Sequence, residues 1–501
     1  MARRATLLAS CISAAAVFTF LPAPASASTA KAGPGAISWG ACDDLPARTP
    51  DLECGTLTVP LDHGKPDGDT VGIPLVRAKA TGNRAGSLLM HFGGNGAHRS
   101  EFAAAYTALA SLRTRYDIVA YDQRGSGGDS QVKCGSDRAV DRLYSLTAGL
   151  KRASERRRFF QEAEAFTQAC AKNSGRILPH LGAAENARDI ERLRAALGDE
   201  KLNYYGLSFG SVVGGVYATL YPGKVGRMVL DAPLDTHQTP ADLAKNSVRY
   251  VQQTYEQFLA ACVKGGCDLG KTTKAANHTV ERLVKRLKHT PLKVGNRELG
   301  SVLAVNGLGQ MAVPGLWAEV ESALASAVKG DGRALLRLAD AAVGRTDNGV
   351  YSPYGGARSL MASIGTYCHD RGRETPKGLV RVDAELTRIS PLFGPLAVFS
   401  APNNSSVAAC AFWPVPAGTE GRTVDHTGTT PIVVVDSTGD VVAPPSGAAL
   451  MAARLRTAVR VTYQGTAHGA YVAGIPCVAD AVEGYLLKGI LPADGSTCPP
   501  V

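Results

Sequence analysis

NYYGLSFGSVVGG, residues 203–215, contains Gly206-Leu207-Ser208-Phe209-Gly210, a match to G-x-S-x-G. With 55 glycines in 501 residues, a chance match is expected roughly 0.4 times per chain, so the pattern alone is weak. Its setting is more specific. LNYYGL (202–207) reads as a short strand, and SFGSVVGGVYATLYP (208–222) as a small, apolar helix packed under a sheet. Ser208 therefore falls on a strand-to-helix junction, where a nucleophilic serine is held on a strained turn. Gly206 and Gly210 let strand and helix approach closely.

Working outward, strand-like runs alternate with helical patterns. GTLTVPLDH (55–63), VGIPLVRAKA (71–80), SLLMHF (87–92) and YDIVAYD (116–122) precede the motif, and GRMVLDAP (226–233) follows it. In ENARDIERLRAALG (185–198), Ile190, Leu193 and Leu197 share one helical face. Near-continuous apolar strands alternating with helices predict a parallel α/β sheet. From about 236 to 425 the pattern is mainly helical, with strand signals nearly absent. The sheet signal returns at TPIVVVDSTGD (430–440) and VRVTYQG (459–465), with helices near 445–456 and 476–488. The expected organisation is a sheet domain over 37–235 and 426–501, interrupted by a helical insertion over 236–425.

A serine nucleophile needs a base, and the base needs an orienting acid. After the returning sheet signal, His468 in GTAHGAY follows a strand, and Asp440 in STGDVVAPP follows another. The order Ser208, Asp440, His468 places each residue at a strand's C-terminal end, where α/β sheets bind ligands. Asp436 is the rival acid, four residues earlier and within the strand end. His426 precedes both acids and reads as a surface-loop histidine. An oxyanion hole needs two backbone N–H groups. The Phe209 amide supplies one, and the glycine loop HFGGNGAHRS (91–100), with Gly93, Gly94 and Gly96, supplies the other, Gly94 being the preferred donor. In YDQRGSGGDS (121–130), Asp122 and Arg124 read as an ion pair shaping the site, structural rather than catalytic.

The N-terminus reads as an export signal. Arg3 and Arg4 precede the apolar run LLASCISAAAVFTFL, and APASA ends in a small-residue cleavage pattern at Ala27. That run is too short for a membrane span and is closed by Pro22 and Pro24. A twin-arginine signal, or a lipoprotein box at Cys11, are the variants of this reading. Hydrophobic residues make up 45% and charged residues 20%, ordinary for a globular protein. The formal net charge of +10 is spread along the chain, and its densest basic run, KRASERRRFF (151–160), is interleaved with acids. This argues against a nucleic-acid partner.

Ten cysteines remain beyond residue 27: Cys42, Cys54, Cys134, Cys170, Cys262, Cys267, Cys368, Cys410, Cys477 and Cys498. An even number in an exported chain predicts disulfides. Ten cysteines allow roughly a thousand pairings, of which sequence neighbours are the simplest. No C-x-x-C or zinc-spaced His/Cys cluster occurs, so neither metal nor cofactor is expected.

Together the motifs ECGTLTVPLDH, FGGNG, YDQRGSG, DIERLRAALGDEKLNYYGLSFGS, FWPVP, DSTGDVVAP, AHGAY and YLLKGILPADGSTC resemble the secreted tripeptidyl-aminopeptidase-like branch of the α/β-hydrolases, near the prolyl aminopeptidases. The resemblance runs from about residue 37 to 498. It implies an α/β-hydrolase fold with a mostly parallel sheet and an inserted helical cap. LWAEVESALASAVKGD looks like a cap helix, and Cys477–Cys498 like the family's C-terminal disulfide. It also implies a Ser-His-Asp exopeptidase acting on peptides with free N-termini. Two residues depart from the family pattern: Asn95 stands where proline is usual, and Phe209 where tyrosine is frequent. Binding an ammonium requires acids. Glu319, Glu321 and Asp370 are candidates that also read as solvated surface acids. An esterase or lipase using the same triad, and a binding protein that has lost its chemistry, are the competing readings.

Overall fold

A computed structural model of the chain describes residues 35–45, 49–94, 96, 98–145, 152–351, 356–397, 407–440 and 442–501. The signal-like residues 1–27 and Asn95 lie outside them. Among the described residues eleven strands form: β1 (Leu52–Pro60), β2 (Thr70–Ala78), β3 (Gly86–His91), β4 (Tyr116–Tyr121), β5 (Leu202–Leu207), β6 (Val225–Asp231), β7 (Leu292–Val294), β8 (Arg297–Leu299), β9 (Ile432–Ser437), β10 (Ala458–Tyr463) and β11 (Ser496–Cys498). Nine of them make one sheet in the order β1-β2-β4-β3-β5-β6-β9-β10-β11. β1 and β2 are antiparallel additions, and every pairing from β4 to β11 is parallel. All residues of β3, β4 and β9 are buried, as strands covered by helices on both faces must be.

The chain runs from β3 to β4 on one side and then to β5 on the other. This reversal leaves a crevice above the C-terminal ends of β3 and β5, the usual ligand position in such sheets. Leu207, the last residue of β5, brings Ser208 to that crevice. The loop after β3 brings the glycines.

Between β6 and β9 the described residues are mainly helical, and the short β7–β8 hairpin among them carries no strand pattern in the sequence. The long helix Pro240–Gly265 begins with a reciprocal capping box between Thr239 and Asp242 and ends at Gly266, φ 94°. Its Tyr255, Phe258 and Leu259 pack with Leu283, Leu308 and Leu324 in a second apolar core. The helix Ala153–Ser174, which carries most of the basic run, buries Phe159 and Ala163 against Val248, Leu379 and Val407. β11 has three residues, too few for a period to show, and joins the sheet edge beside the Cys477–Cys498 disulfide. Four further disulfides join Cys42–Cys54, Cys134–Cys170, Cys262–Cys267 and Cys368–Cys410.

Candidate active site

Ser208 adopts φ 55° and ψ −115°, a strained backbone for a residue with a side chain. Its N–H donates to the Asp231 carbonyl at 2.9 Å, and its own carbonyl accepts the Ser211 N–H at 3.0 Å. The two motif glycines are sterically required. A Cβ on Gly206 would lie 2.4 Å from the Gly210 oxygen, and one on Gly210 would lie 2.7 Å from the His91 oxygen. The helix Phe209–Leu220 starts immediately after Ser208, so its N-terminal amides face the turn.

The glycine loop lies beside this turn. A Cβ on Gly93, whose φ is 104°, would come within 3.2 Å of the Ser208 Cβ. A pair of buried histidines supports the loop, and no sequence signal singled them out. The Gly93 N–H donates to His91 Nδ1 at 3.1 Å, and His91 Nε2 lies 3.3 Å from His98 Nε2. Because Nδ1 of His91 accepts, its Nε2 carries the proton and donates to His98. His98 Nδ1–H then faces Glu101 at 3.4 Å. Burial holds His91 well below the ordinary histidine value and takes His98 to about 3, so both rings are neutral. Farther along the loop, the Gly96 carbonyl accepts the Gln123 N–H at 2.9 Å.

His468 Nδ1 lies 2.8 Å from Asp440 Oδ2. The other Asp440 oxygen accepts the N–H groups of Val442 at 2.9 Å and Ala443 at 3.0 Å. Asp440 is buried, whereas 31% of the His468 side chain is exposed. Burial disfavours the charged imidazole, but the Asp440 hydrogen bond and charge, with Asp231's charge added, hold His468 above its ordinary value. The rival Asp436 faces elsewhere: it pairs with Arg460 at 2.6 Å and accepts the Thr462 hydroxyl at 2.8 Å. His426 is not a surface residue; it is fully buried and donates from Nδ1 to the Ala218 carbonyl at 2.9 Å.

Residues from the helical region reach the same place. Ser363, on the helix Gly356–Arg371, donates its hydroxyl to the Gly94 carbonyl. On the same helix Tyr367 sets its ring 5.8 Å from that of Phe209, with the Arg371 guanidinium 5.5 Å from the Tyr367 ring. Tyr250, on the helix Pro240–Gly265, is raised by burial and feels the Asp440 charge. No motif marked these residues, because their only common property is spatial.

The acids considered for an ammonium are dispersed. Glu319 is exposed. Glu321 accepts the Asp268 N–H at 2.9 Å. Asp370 is buried rather than solvated, and it accepts the Ala183 N–H at 2.8 Å at the start of the helix Ala183–Ala196.

The expected Asp122–Arg124 pair does not form. Asp122 accepts the Arg99 N–H at 3.0 Å, and burial raises its carboxyl to about 7. Arg124 is fully buried and bonds Asp189 at 2.5 and 2.7 Å, along with the carbonyls of Leu61, His180 and Pro60. It anchors the 122–126 loop, whose Gln123 holds Gly96. Asp189→Ala leaves that buried guanidinium only the more distant Glu185, at 3.5 Å, as a counter-charge, and urea melts should show a loss of about 3 kcal/mol.

Among the described residues, the one trio of potential metal ligands within mutual reach is Cys262, Cys267 and Glu321. Its two cysteines are joined as a disulfide and offer no thiolate. A polar cleft of about 420 Å³ is lined by Asp44, Arg99, Asp122 and Gln131 among others, but not by Ser208 or His468. No described helix is long and apolar enough to cross a membrane.

A family model described as TAP-like protein matches residues 395–498. The chain is 31% identical over 460 residues to the serine protease Hip1 of Mycobacterium tuberculosis, covering 89% of this chain and 87% of that protein. It is 28% identical over 494 residues to a tripeptidyl aminopeptidase of Streptomyces lividans, covering 95% and 88%. It is also 29% identical over 486 residues to carboxylesterase B of M. tuberculosis, covering 92% and 90%.

Proposed function

This chain is a serine hydrolase of the TAP-like family of α/β-hydrolases, and on that premise we propose that it is an exported exopeptidase cleaving peptide bonds near free N-termini. The observation that carries the reading is the 2.8 Å contact between His468 and Asp440, on a loop whose next residue packs against the nucleophile turn. A Cβ on Gly469 would lie 2.5 Å from the Leu207 side chain.

In this reading Asp440 accepts the His468 Nδ1–H and so leaves a lone pair on Nε2. Nε2 takes the Ser208 proton as Oγ attacks the scissile carbonyl. The Phe209 and Gly94 amides stabilise the oxyanion. His468 then passes the proton to the leaving amine, and the peptide acyl group remains on Ser208. Water, deprotonated by His468, releases it and restores the serine.

The helices of residues 236–425 act as a cap. Support comes from Ser363 on Gly94, Tyr367 beside Phe209 and Tyr250 near Asp440. The five disulfides and the N-terminal sequence support export. Both the serine protease and the tripeptidyl aminopeptidase among the relatives favour peptides. The carboxylesterase keeps esters as the competing substrate.

A panel of chromogenic peptides with one to three residues and a free or acetylated N-terminus tests the proposal. Free N-termini should be turned over and acetylated ones poorly. Cleavage of short acyl esters alone overturns it. The base must be neutral to accept a proton, and His468 is held above 6.5. The acid limb of kcat/KM should therefore fall above pH 6.5.

A further inference from the structure

We infer that Asp231 is a positioning residue for this reaction, a second buried carboxylate that ties the His468 loop to the Ser208 turn and adds negative charge near the imidazole. The inference rests on the reading of Ser208, His468 and Asp440 given above.

Asp231 ends β6, beside the end of β5, and is fully buried. It holds two parts of the site at once. Its backbone carbonyl accepts the Ser208 N–H at 2.9 Å. Its Oδ2 accepts the Tyr471 N–H at 3.0 Å and the Tyr205 hydroxyl at 2.8 Å. Tyr471 is three residues beyond His468, and its ring lies 5.2 Å from that of Tyr205. Nucleophile turn and base loop are thus fastened to one residue, on the strand between β5 and β9.

The other carboxylate oxygen, Oδ1, is buried without a hydrogen-bond partner among the described residues. Such an oxygen is costly, and a purely structural tie does not need it. An asparagine would still offer one oxygen to the Tyr471 amide. What an asparagine lacks is charge. The titratable side chains acting on Asp231 are Tyr205 on β5 and, from the loop after β10, His468, while Tyr471 contributes its amide and turns its hydroxyl to Glu483. His468 is the one among them that becomes a cation during the proposed cycle. When ionised, a buried carboxylate held on the base loop stabilises a transient imidazolium without reorganisation. Burial pushes Asp231 up to about 6, against the pull of the Tyr471 amide, the Tyr205 hydroxyl, the His468 charge and the Ala470 amide.

The test is the pH dependence of kcat/KM for wild type and Asp231→Asn, using the best peptide of the panel. Without the charge the imidazolium is less stable. The acid limb should then move to lower pH by about 0.5 unit or more, and the plateau should drop about tenfold. An unmoved limb, whatever the plateau, overturns the inference, because a merely structural tie lowers the amplitude alone. If Asp231→Asn fails to fold, Tyr205→Phe replaces it. Losing one hydrogen bond makes the carboxylate harder to ionise, so the limb should move in the same direction by less. No movement there is also fatal. Failure of the underlying reading looks different: turnover would persist in Ser208→Ala. Ser208-dependent turnover with an unshifted Asp231→Asn limb removes only the role given to Asp231.

Discussion

Ser208→Ala should lower kcat for free-N-terminus peptides by about 10⁶-fold while leaving the fold intact. The size follows from the division of labour. Without Oγ no acyl-enzyme forms, and the remaining oxyanion donors can only assist direct attack by water. The fold survives because the turn is held by backbone atoms. The Ser208 N–H bonds the Asp231 carbonyl, and its own carbonyl bonds the Ser211 amide. Alanine keeps both, and at φ 55° it is strained as serine is. The variant is expected to melt with the wild type. Turnover within a factor of ten of wild type would remove Ser208 from the chemistry.

Asp440→Asn is the next largest effect, a loss of about 10⁴-fold in kcat. Its cause is the local hydrogen-bond pattern. One Asp440 oxygen is occupied by the Val442 and Ala443 amides, and the other faces His468 Nδ1. An asparagine must keep its oxygen on the two amides, so its NH2 points at Nδ1. His468 is then driven to carry its proton on Nε2 and cannot accept one from Ser208. Asp436→Asn is the contrast, since that carboxylate pairs with Arg460 and Thr462 on β10. It should cost stability and little rate. Kinetics and melts on both variants check this, and a larger rate loss in Asp436→Asn would reverse the assignment of the acid.

Much of the architecture was readable along the chain. The apolar runs LNYYGL and PIVVV mark strands because a sheet covered on both faces demands unbroken hydrophobicity. The G-x-S-x-G glycines mark the turn because nothing larger fits. Shorter or mixed segments were not readable. β7, β8 and β11 have three residues each, below any detectable period.

Partnership was the least readable property. Asp122 and Arg124 stand two residues apart, yet Arg124 bonds Asp189, 65 positions away, and Asp122 bonds Arg99. His426 looked solvated and is buried. His91 and His98 carry no motif, yet they form a neutral relay under the glycine loop. Local pattern records which side chains must avoid water and which backbone turns must be tight, because both constraints act on neighbours in the chain. Which charge meets which depends on loops closing over tens to hundreds of residues. For that reason the Arg124–Asp189 pair, the Tyr367–Phe209 contact and the two-sided hold of Asp231 exist only in the folded chain, whereas the order of Ser208, Asp440 and His468 after successive strands stands in the sequence.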